Sequence, residues 1–167
     1  MATKLEMHSD LLEFLRLLGR HEVRYLVVGG YAVAVHGYVR ATNDLDVFVE
    51  ASQSNAKKLI TVFREFGFRS AKIEEALFLT PGTIVRVGVP PIRLEVLNKI
   101  SGVEFEDCHQ HRLEVLIDDT PIQFIGRNEL LTNKRASGRT KDLADVEYLM
   151  KGNPPSPRRA TRKKRKR

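Results

Sequence analysis

Two aspartates, Asp44 and Asp46, lie one residue apart at the start of the stretch DLDVFVE. The alternating, β-branched pattern of residues 45–50 predicts a strand, and side chains at positions i and i+2 of a strand point to the same side. Two carboxylates held this close repel each other unless a cation lies between them. Mg²⁺ prefers carboxylate oxygens and leaves room for substrate phosphates. The pair therefore predicts a Mg²⁺ or Mn²⁺ site, although a solvent-facing acidic pair would show the same pattern.

A third acid, Glu95, lies in the stretch IRLEVL. Residues 83–89 and 92–100 flank Pro90-Pro91 and predict a β-hairpin. The period of two places Glu95 on one strand face together with Arg93 and Leu97. From a strand beside the aspartates, this carboxylate could complete a two-metal site. The alternative is a surface glutamate on an edge strand.

Gly29 and Gly30 follow a nearly continuous apolar run at 24–28 and precede a predicted short helix at 31–37. Glycines allow a phosphate to approach the backbone closely, and the N terminus of a helix presents unpaired N–H groups and a partial positive charge. The pair therefore predicts a phosphate-binding turn, with an ordinary strand-to-helix turn as the alternative. His36, near the end of this helix, is predicted to pack or cap rather than to act as a base.

The remaining pattern supplies a scaffold of mixed type. Amphipathic spacing predicts helices at 9–19, with Ser9 as N-cap and Gly19 as its end, and at 54–68. A short helix is predicted at 73–79, a short helix or loop at 102–111, a hairpin at 112–118 and 121–126 around Asp119-Thr120, and helices at 127–137 and 140–150. This order predicts an α+β fold, a mixed sheet flanked by helices.

Composition narrows the class of protein. A chain of 167 residues with 42% hydrophobic residues suits one compact domain, and no apolar run is long enough to span a bilayer. The single cysteine, Cys108, excludes an internal disulfide and favours a reducing, cytoplasmic setting. His109 and His111 lie close to it, but a tetrahedral zinc site needs a further ligand cluster that the sequence lacks.

The basic charge is concentrated at the C terminus. The chain has 28 lysines and arginines and 21 aspartates and glutamates. Eight of the basic residues lie in the last ten residues, RRATRKKRKR. We therefore expect a nearly neutral domain at 1–152, followed at 153–167 by a Pro-rich linker and a disordered basic tail. Such a tail favours binding to RNA, DNA or another polyanion, although it could equally serve solubility.

The stretch VVGGYAVAVHGYVRATNDLDVFV resembles the signature of the polymerase-β-like nucleotidyltransferase superfamily: an apolar strand, two small residues, a short helix and two acids one residue apart. The stretches HGYVRATNDLD and KRASGRTKDLADVEYL further resemble AbiEii-like and MenA-like nucleotidyltransferases, which include toxins of bacterial toxin–antitoxin systems. The resemblance implies a polymerase-β-like fold. It also implies transfer of a nucleoside monophosphate from an NTP to RNA (especially tRNA), a protein or a small molecule, with release of pyrophosphate.

The same resemblance assigns roles to individual residues. Asp44 and Asp46 would bind two Mg²⁺ ions, Glu95 would bind the first ion or act as general base, and Gly29 and Gly30 would hold the β- and γ-phosphates. Further nucleotide-binding or positioning residues would be Arg40, Thr42, Lys134, Arg139, Lys141 and Asp142. Alternatively, Arg40 pairs with the acids when metal is absent, and Asp142 is a first-turn acid favoured by the helix dipole.

Two other functions stay open at the level of sequence. Tyr31 stands where many members of the superfamily have a serine. This difference leaves open a second function, in which the protein is a catalytically degenerate module that binds a nucleotide or RNA. The chain could also act with a cognate toxin or antitoxin protein.

Overall fold

The computed structural model describes residues 5–42, 44–89 and 92–152. The predicted linker and tail at 153–167, and the Pro90-Pro91 turn, lie outside the described residues. No helix in the described part of the chain has the length and apolarity that crossing a membrane requires.

Helices and strands alternate along the chain as a mixed α+β pattern. The strands are β1 Tyr25–Val28, β2 Asp44–Val49, β3 Ile84–Val89, β4 Ile92–Leu97, β5 Leu113–Ile117 and β6 Thr120–Phe124. The helices are α1 Ser9–Arg20, α2 Gly29–Val35, α3 Gln53–Phe66, α4 Glu75–Leu79, α5 Phe105–Gln110, α6 Arg127–Ser137 and α7 Thr140–Lys151.

Within the described residues the strands form one sheet in the order β3-β4-β2-β1-β6-β5. Strand β1 pairs antiparallel with β2 and parallel with β6, and β2 pairs parallel with β4. The hairpins β3–β4 and β5–β6 close the two edges. The sheet is therefore mixed, with β2 in its centre between β4 and β1, and the predicted fold class is confirmed.

The core follows the alternation that the sequence predicts for β2. Leu45 and Val47 are fully buried on one side of the strand, whereas Asp44 and Asp46 point to the other side and are partly exposed. Helices α1 and α3 pack against each other through an edge-to-face contact between Phe14 and Phe63, whose ring centroids are 5.4 Å apart. The backbone pairing of β2 with β1 and β4 fixes the direction of the two carboxylates.

Several predicted boundaries are wrong by one or two residues. The N-cap of α1 is His8 rather than Ser9, since the His8 ring accepts the Asp10 N–H, and α1 passes through Gly19 to end at Arg20. The β5–β6 turn lies at Asp118 and Asp119, both with positive φ, because this turn places two residues in the left-handed region that Asp tolerates.

Candidate active site

Charged residues from three neighbouring strands form an acid–base ladder on one face of the sheet. The parallel register of β2 and β4 places Asp44 opposite Arg93 and Asp46 opposite Glu95. The antiparallel register of β3 and β4 places Arg86 opposite Glu95. Residues in register point to the same face, so the three predicted acids share one surface.

Arginines occupy two of these three acids. Arg93 donates from Nε and Nη2 to the two carboxylate oxygens of Asp44, at 3.2 and 2.7 Å. Arg86 donates from Nε to Glu95 Oε1 at 2.7 Å. The sequence places Arg93 on the face of Glu95 but does not reveal either pair, because the register between β2, β3 and β4 decides the partners.

Asp46 receives neither a hydrogen bond nor an ion pair from the described residues. Burial, followed by the nearby carboxylates of Glu95 and Asp44, raises its pKa to about 6. The more distant charges of Lys134 and Lys141 oppose this shift only in part. An unpaired carboxylate between two acids is a place where a cation would relieve repulsion.

The glycine turn lies directly against this acid. Gly29 has φ +67°, and a Cβ added to it would come within 2.3 Å of Asp46 Oδ2. A Cβ on Gly30 would lie 2.5 Å from Thr42 Oγ1. The two glycines therefore first make room for side chains of the protein itself, while Gly30 also lines the neighbouring cleft.

The cleft beside the ladder is open and polar, with a volume of about 290 Å³. Of the residues predicted for the site, Gly30, Arg40, Thr42, Asp44, Asp46 and Lys141 line it, and Arg93 is an additional lining residue. Three basic side chains, those of Arg40, Arg93 and Lys141, therefore share the lining with the two carboxylates. Such a cleft suits a polyanion together with a cation.

Lys134 does not line the cleft; its ammonium group is buried in an ion-pair network with Asp142, at 2.8 Å, and Asp145, at 3.1 Å. Asp145 also accepts two hydrogen bonds from Arg40, from Nε and Nη2, both at 3.0 Å. Arg40 is therefore held by Asp145 and does not pair with Asp44 or Asp46. Asp145, which the sequence analysis does not single out, is the residue that joins Arg40 to Lys134.

Asp142 is the acceptor at the centre of a small hydrogen-bond network. It accepts hydrogen bonds from Lys134, from Ser137 and from Arg139 Nε, the last at 2.9 Å. Burial alone would raise the pKa of Asp142, but these hydrogen bonds outweigh it and lower the pKa to about 2. The Arg139 side chain is largely exposed, in contrast to the buried Asp142 carboxylate that it contacts.

Two aromatic side chains of this region belong to the scaffold. Tyr31 is buried, at 6% exposure, and does not line the cleft. His36 forms a 2.7 Å hydrogen bond between its Nε2 and the Ile125 carbonyl, which confirms its prediction as a packed residue.

The carboxylates suit a divalent cation that brings further oxygen ligands with it. In residues 5–42, 44–89 and 92–152, no group of three or more His, Cys, Asp or Glu side chains is arranged to hold a metal ion. Mg²⁺, however, commonly uses one or two carboxylates together with substrate phosphates. Asp44 and Asp46 fit that requirement, whereas one oxygen of Glu95, Oε1, is already bound by Arg86.

Solved structures with the same fold cover most of the chain. TM1012 from Thermotoga maritima, assigned as a nucleotidyltransferase, matches with a TM-score of 0.54 at 17% identity, over 84% of this chain and 88% of that chain. The lincomycin-bound lincosamide antibiotic adenylyltransferase LnuA matches with a TM-score of 0.52 at 16% identity, over 87% and 97%. The antibiotic-resistance factor ANT(2'')-Ia matches with a TM-score of 0.54 at 12% identity, over 84% and 80%. At these identities the likeness shows the fold alone.

Comparison with curated proteins finds no match, and the AbiEii-like and toxin resemblance has no support from the other comparisons. A family model does match, over residues 7–164, which is nearly the whole chain. The chain therefore belongs to the family described as "Nucleotidyl transferase of unknown function (DUF2204)".

Proposed function

We propose that this protein transfers a nucleoside monophosphate from an NTP to an acceptor, releases pyrophosphate, and uses Mg²⁺ or Mn²⁺ held by Asp44 and Asp46. The observation that carries the proposal is the Asp46 carboxylate, which has no hydrogen-bond or ion-pair partner among the described residues, feels the charges of Glu95 and Asp44, and lines a cleft together with Arg40, Arg93 and Lys141. Such an arrangement leaves a negative centre that a divalent cation and a triphosphate can neutralise together.

In the proposed reaction, an acceptor oxygen forms a bond to the α-phosphorus and the bond from that phosphorus to the pyrophosphate oxygen breaks. Bound divalent cations would lower the pKa of the acceptor and neutralise charge on the leaving group. Glu95 either binds the cation or accepts the acceptor's proton. Arg86 holds only Oε1 of Glu95, and it can release that oxygen because the Arg86 side chain is 55% exposed.

Phosphate binding falls to the cleft walls. Arg40 is fixed by Asp145 through Nε and Nη2, and its Nη1 lies 3.4 Å from the position of a Cβ on Gly30. A guanidinium held in this way beside the glycine turn can donate to phosphate without reorganising. Lys141 and Thr42 supply further donors.

In this proposal Lys134, with its partners Asp142 and Asp145, acts on the triphosphate without touching it. Lys134 is only 5% exposed, so it adds positive potential from below the cleft rather than a direct contact, and Asp142 keeps it in place. Arg139 is exposed and can reach toward the nucleotide.

The donor and acceptor are also part of the proposal. One of the similar structures, LnuA, is an adenylyltransferase, which favours ATP as the donor. The candidate acceptors are RNA bound through the basic tail, a protein and a small molecule. A cognate toxin or antitoxin protein is a candidate partner, and the cytoplasm is the proposed setting.

The test is label transfer from each α-³²P NTP, with Mg²⁺ or Mn²⁺, to total RNA, protein or small-molecule extract. We expect transfer by the wild-type protein, and its loss in Asp44→Asn and Asp46→Asn. Asp107→Asn, which removes an exposed acid from α5, should retain full transfer. Full activity in either active-site variant would refute the site, and no transfer with any NTP and metal would refute the activity.

A degenerate binding module is the second candidate, and one observation favours it: arginines occupy Asp44 and Glu95 in the described structure. This function predicts nucleotide binding without turnover. Equilibrium dialysis with labelled NTP, run beside the transfer assay, separates the two.

A further inference from the structure

We propose that Arg93 is a displaceable counter-cation that holds Asp44 until metal and nucleotide arrive, and that it then moves from the carboxylate to the phosphate oxygens. This inference rests on the proposed function, because it needs Asp44 to be a cation ligand and the cleft to receive a triphosphate.

The geometry makes Arg93 and a metal ion competitors for the same atoms. Both oxygens of Asp44 accept hydrogen bonds from Arg93, so the carboxylate edge that a cation would use is occupied. A guanidinium and a divalent cation repel each other when they approach one carboxylate from the same side. A cation that binds this edge of Asp44 therefore displaces Arg93 from it.

Exposure indicates that Arg93 can leave. The side chains of Arg93 and Asp44 are 29% and 33% exposed, and ion pairs with this access to water are weak. Both residues line the cleft, so a released guanidinium has anionic phosphate oxygens within the same volume. Arginine binds phosphate by the bidentate geometry that it already uses on Asp44.

Arg40 shows by contrast what a fixed arginine looks like at this site. Its partner Asp145 is 2% exposed and also binds Lys134, so removing Arg40 from Asp145 would leave a buried acid short of one cation. The cleft thus contains one arginine that is locked in place and one that is held by a solvent-accessible pair.

The consequence is coupling between metal and nucleotide. Metal alone must displace Arg93 into water, whereas metal with a triphosphate offers Arg93 a new anionic partner. Divalent cation and nucleotide should therefore bind with positive cooperativity, which is reciprocal by linkage.

The experiment measures Mn²⁺ affinity in the absence of nucleotide, by electron paramagnetic resonance of free Mn²⁺, for wild type, Arg93→Ala and Arg93→Gln. We expect about tenfold tighter Mn²⁺ binding in both variants, because the carboxylate is freed and a like charge is removed. In the same variants, affinity for α,β-methylene ATP measured with Mn²⁺ should fall about tenfold or more. Thermal unfolding checks that each variant is folded.

Arg24→Ala is the matched control. Arg24 pairs with Glu50 at 2.9 Å with comparable exposure, 39% and 26%, just beyond the opposite end of β2. Glu50 lies six positions after Asp44 along extended backbone, roughly 20 Å away, and this distance exceeds the screening length at physiological salt. The Mn²⁺ affinity of Arg24→Ala should therefore equal that of wild type. In an Asp44→Asn background, Arg93→Ala should no longer tighten Mn²⁺ binding.

Unchanged or weaker Mn²⁺ binding in Arg93→Ala and Arg93→Gln overturns the inference, as does equal tightening in Arg24→Ala. These results are independent of turnover. Tighter Mn²⁺ binding in a protein that transfers no label would support Arg93 as the counter-cation and refute the proposed transferase activity. Label transfer with unaltered Mn²⁺ binding would do the reverse.

Discussion

Replacing Asp46 by asparagine should stabilise the metal-free protein while it abolishes transfer. Burial and the neighbouring carboxylates raise the pKa of Asp46 from 3.8 to about 6 in the folded chain. The shift is about two units, each about 1.4 kcal/mol, so the ionised side chain costs on the order of 2–3 kcal/mol of unfolding free energy. Partial solvent screening places the measured value at the lower end.

The sign of the pH dependence follows from the direction of the shift. Between about pH 4 and pH 6 the folded state binds more protons than the unfolded state at this group, so its contribution lowers the unfolding free energy as the pH rises. Above about pH 6 the full cost is present. Asparagine removes the charge and with it this dependence.

The assay is urea unfolding followed by circular dichroism in EDTA, at about pH 7.5 and again near pH 4. We expect Asp46→Asn to exceed wild type by about 2 kcal/mol at the higher pH and to approach it at the lower pH. Asp107→Asn, at an exposed acid, should change stability by about 0.5 kcal/mol or less at either pH. Equal stability of Asp46→Asn and wild type at the higher pH would refute the electrostatic reasoning.

Three further predictions concern the turn, the buried network and the tail. Gly29→Ala should lower stability by about 1–3 kcal/mol and abolish transfer, because the new Cβ meets the Asp46 carboxylate at 2.3 Å and the φ is +67°; unaltered unfolding would contradict this. Lys134→Met should lower the free energy of urea unfolding by about 3–5 kcal/mol, because Asp142 and Asp145 each lose a cation. A decrease below about 1 kcal/mol would show that the network is dispensable for stability. Deleting 158–167 should weaken RNA binding and flatten its salt dependence, measured by fluorescence anisotropy; identical salt slopes would exclude the tail as an RNA-binding element.

The positions of the acids could be predicted from local pattern, because strand periodicity acts within a few residues. The alternation in β2 places Leu45 in the core and the two aspartates on the opposite face, and that much needs no knowledge of the partner strands. The glycine turn could likewise be located from an apolar run followed by two glycines. Its tight packing against Asp46 and Thr42 could not, since it depends on how β1, α2 and β2 meet in space.

The partners in the ion pairs could not be predicted from local sequence pattern. Arg93 reaches Asp44, and Arg86 reaches Glu95, only through the registers of separate strand pairs. Arg40 and Asp145 are separated by 105 residues in sequence. The spacing of Asp142 and Asp145 places both acids on one face of α7, but it does not indicate which arginine binds there. Long-range pairing therefore decided which arginine is fixed by a buried acid and which one is held by a partly exposed ion pair.

Anomalous diffraction from a crystal soaked with Mn²⁺ and α,β-methylene ATP tests the central claim most directly. We expect manganese density within coordination distance of Asp44 and Asp46, with Arg93 turned from Asp44 toward the phosphates. Nucleotide bound in the cleft without manganese at these aspartates, or manganese bound only elsewhere, would contradict the account.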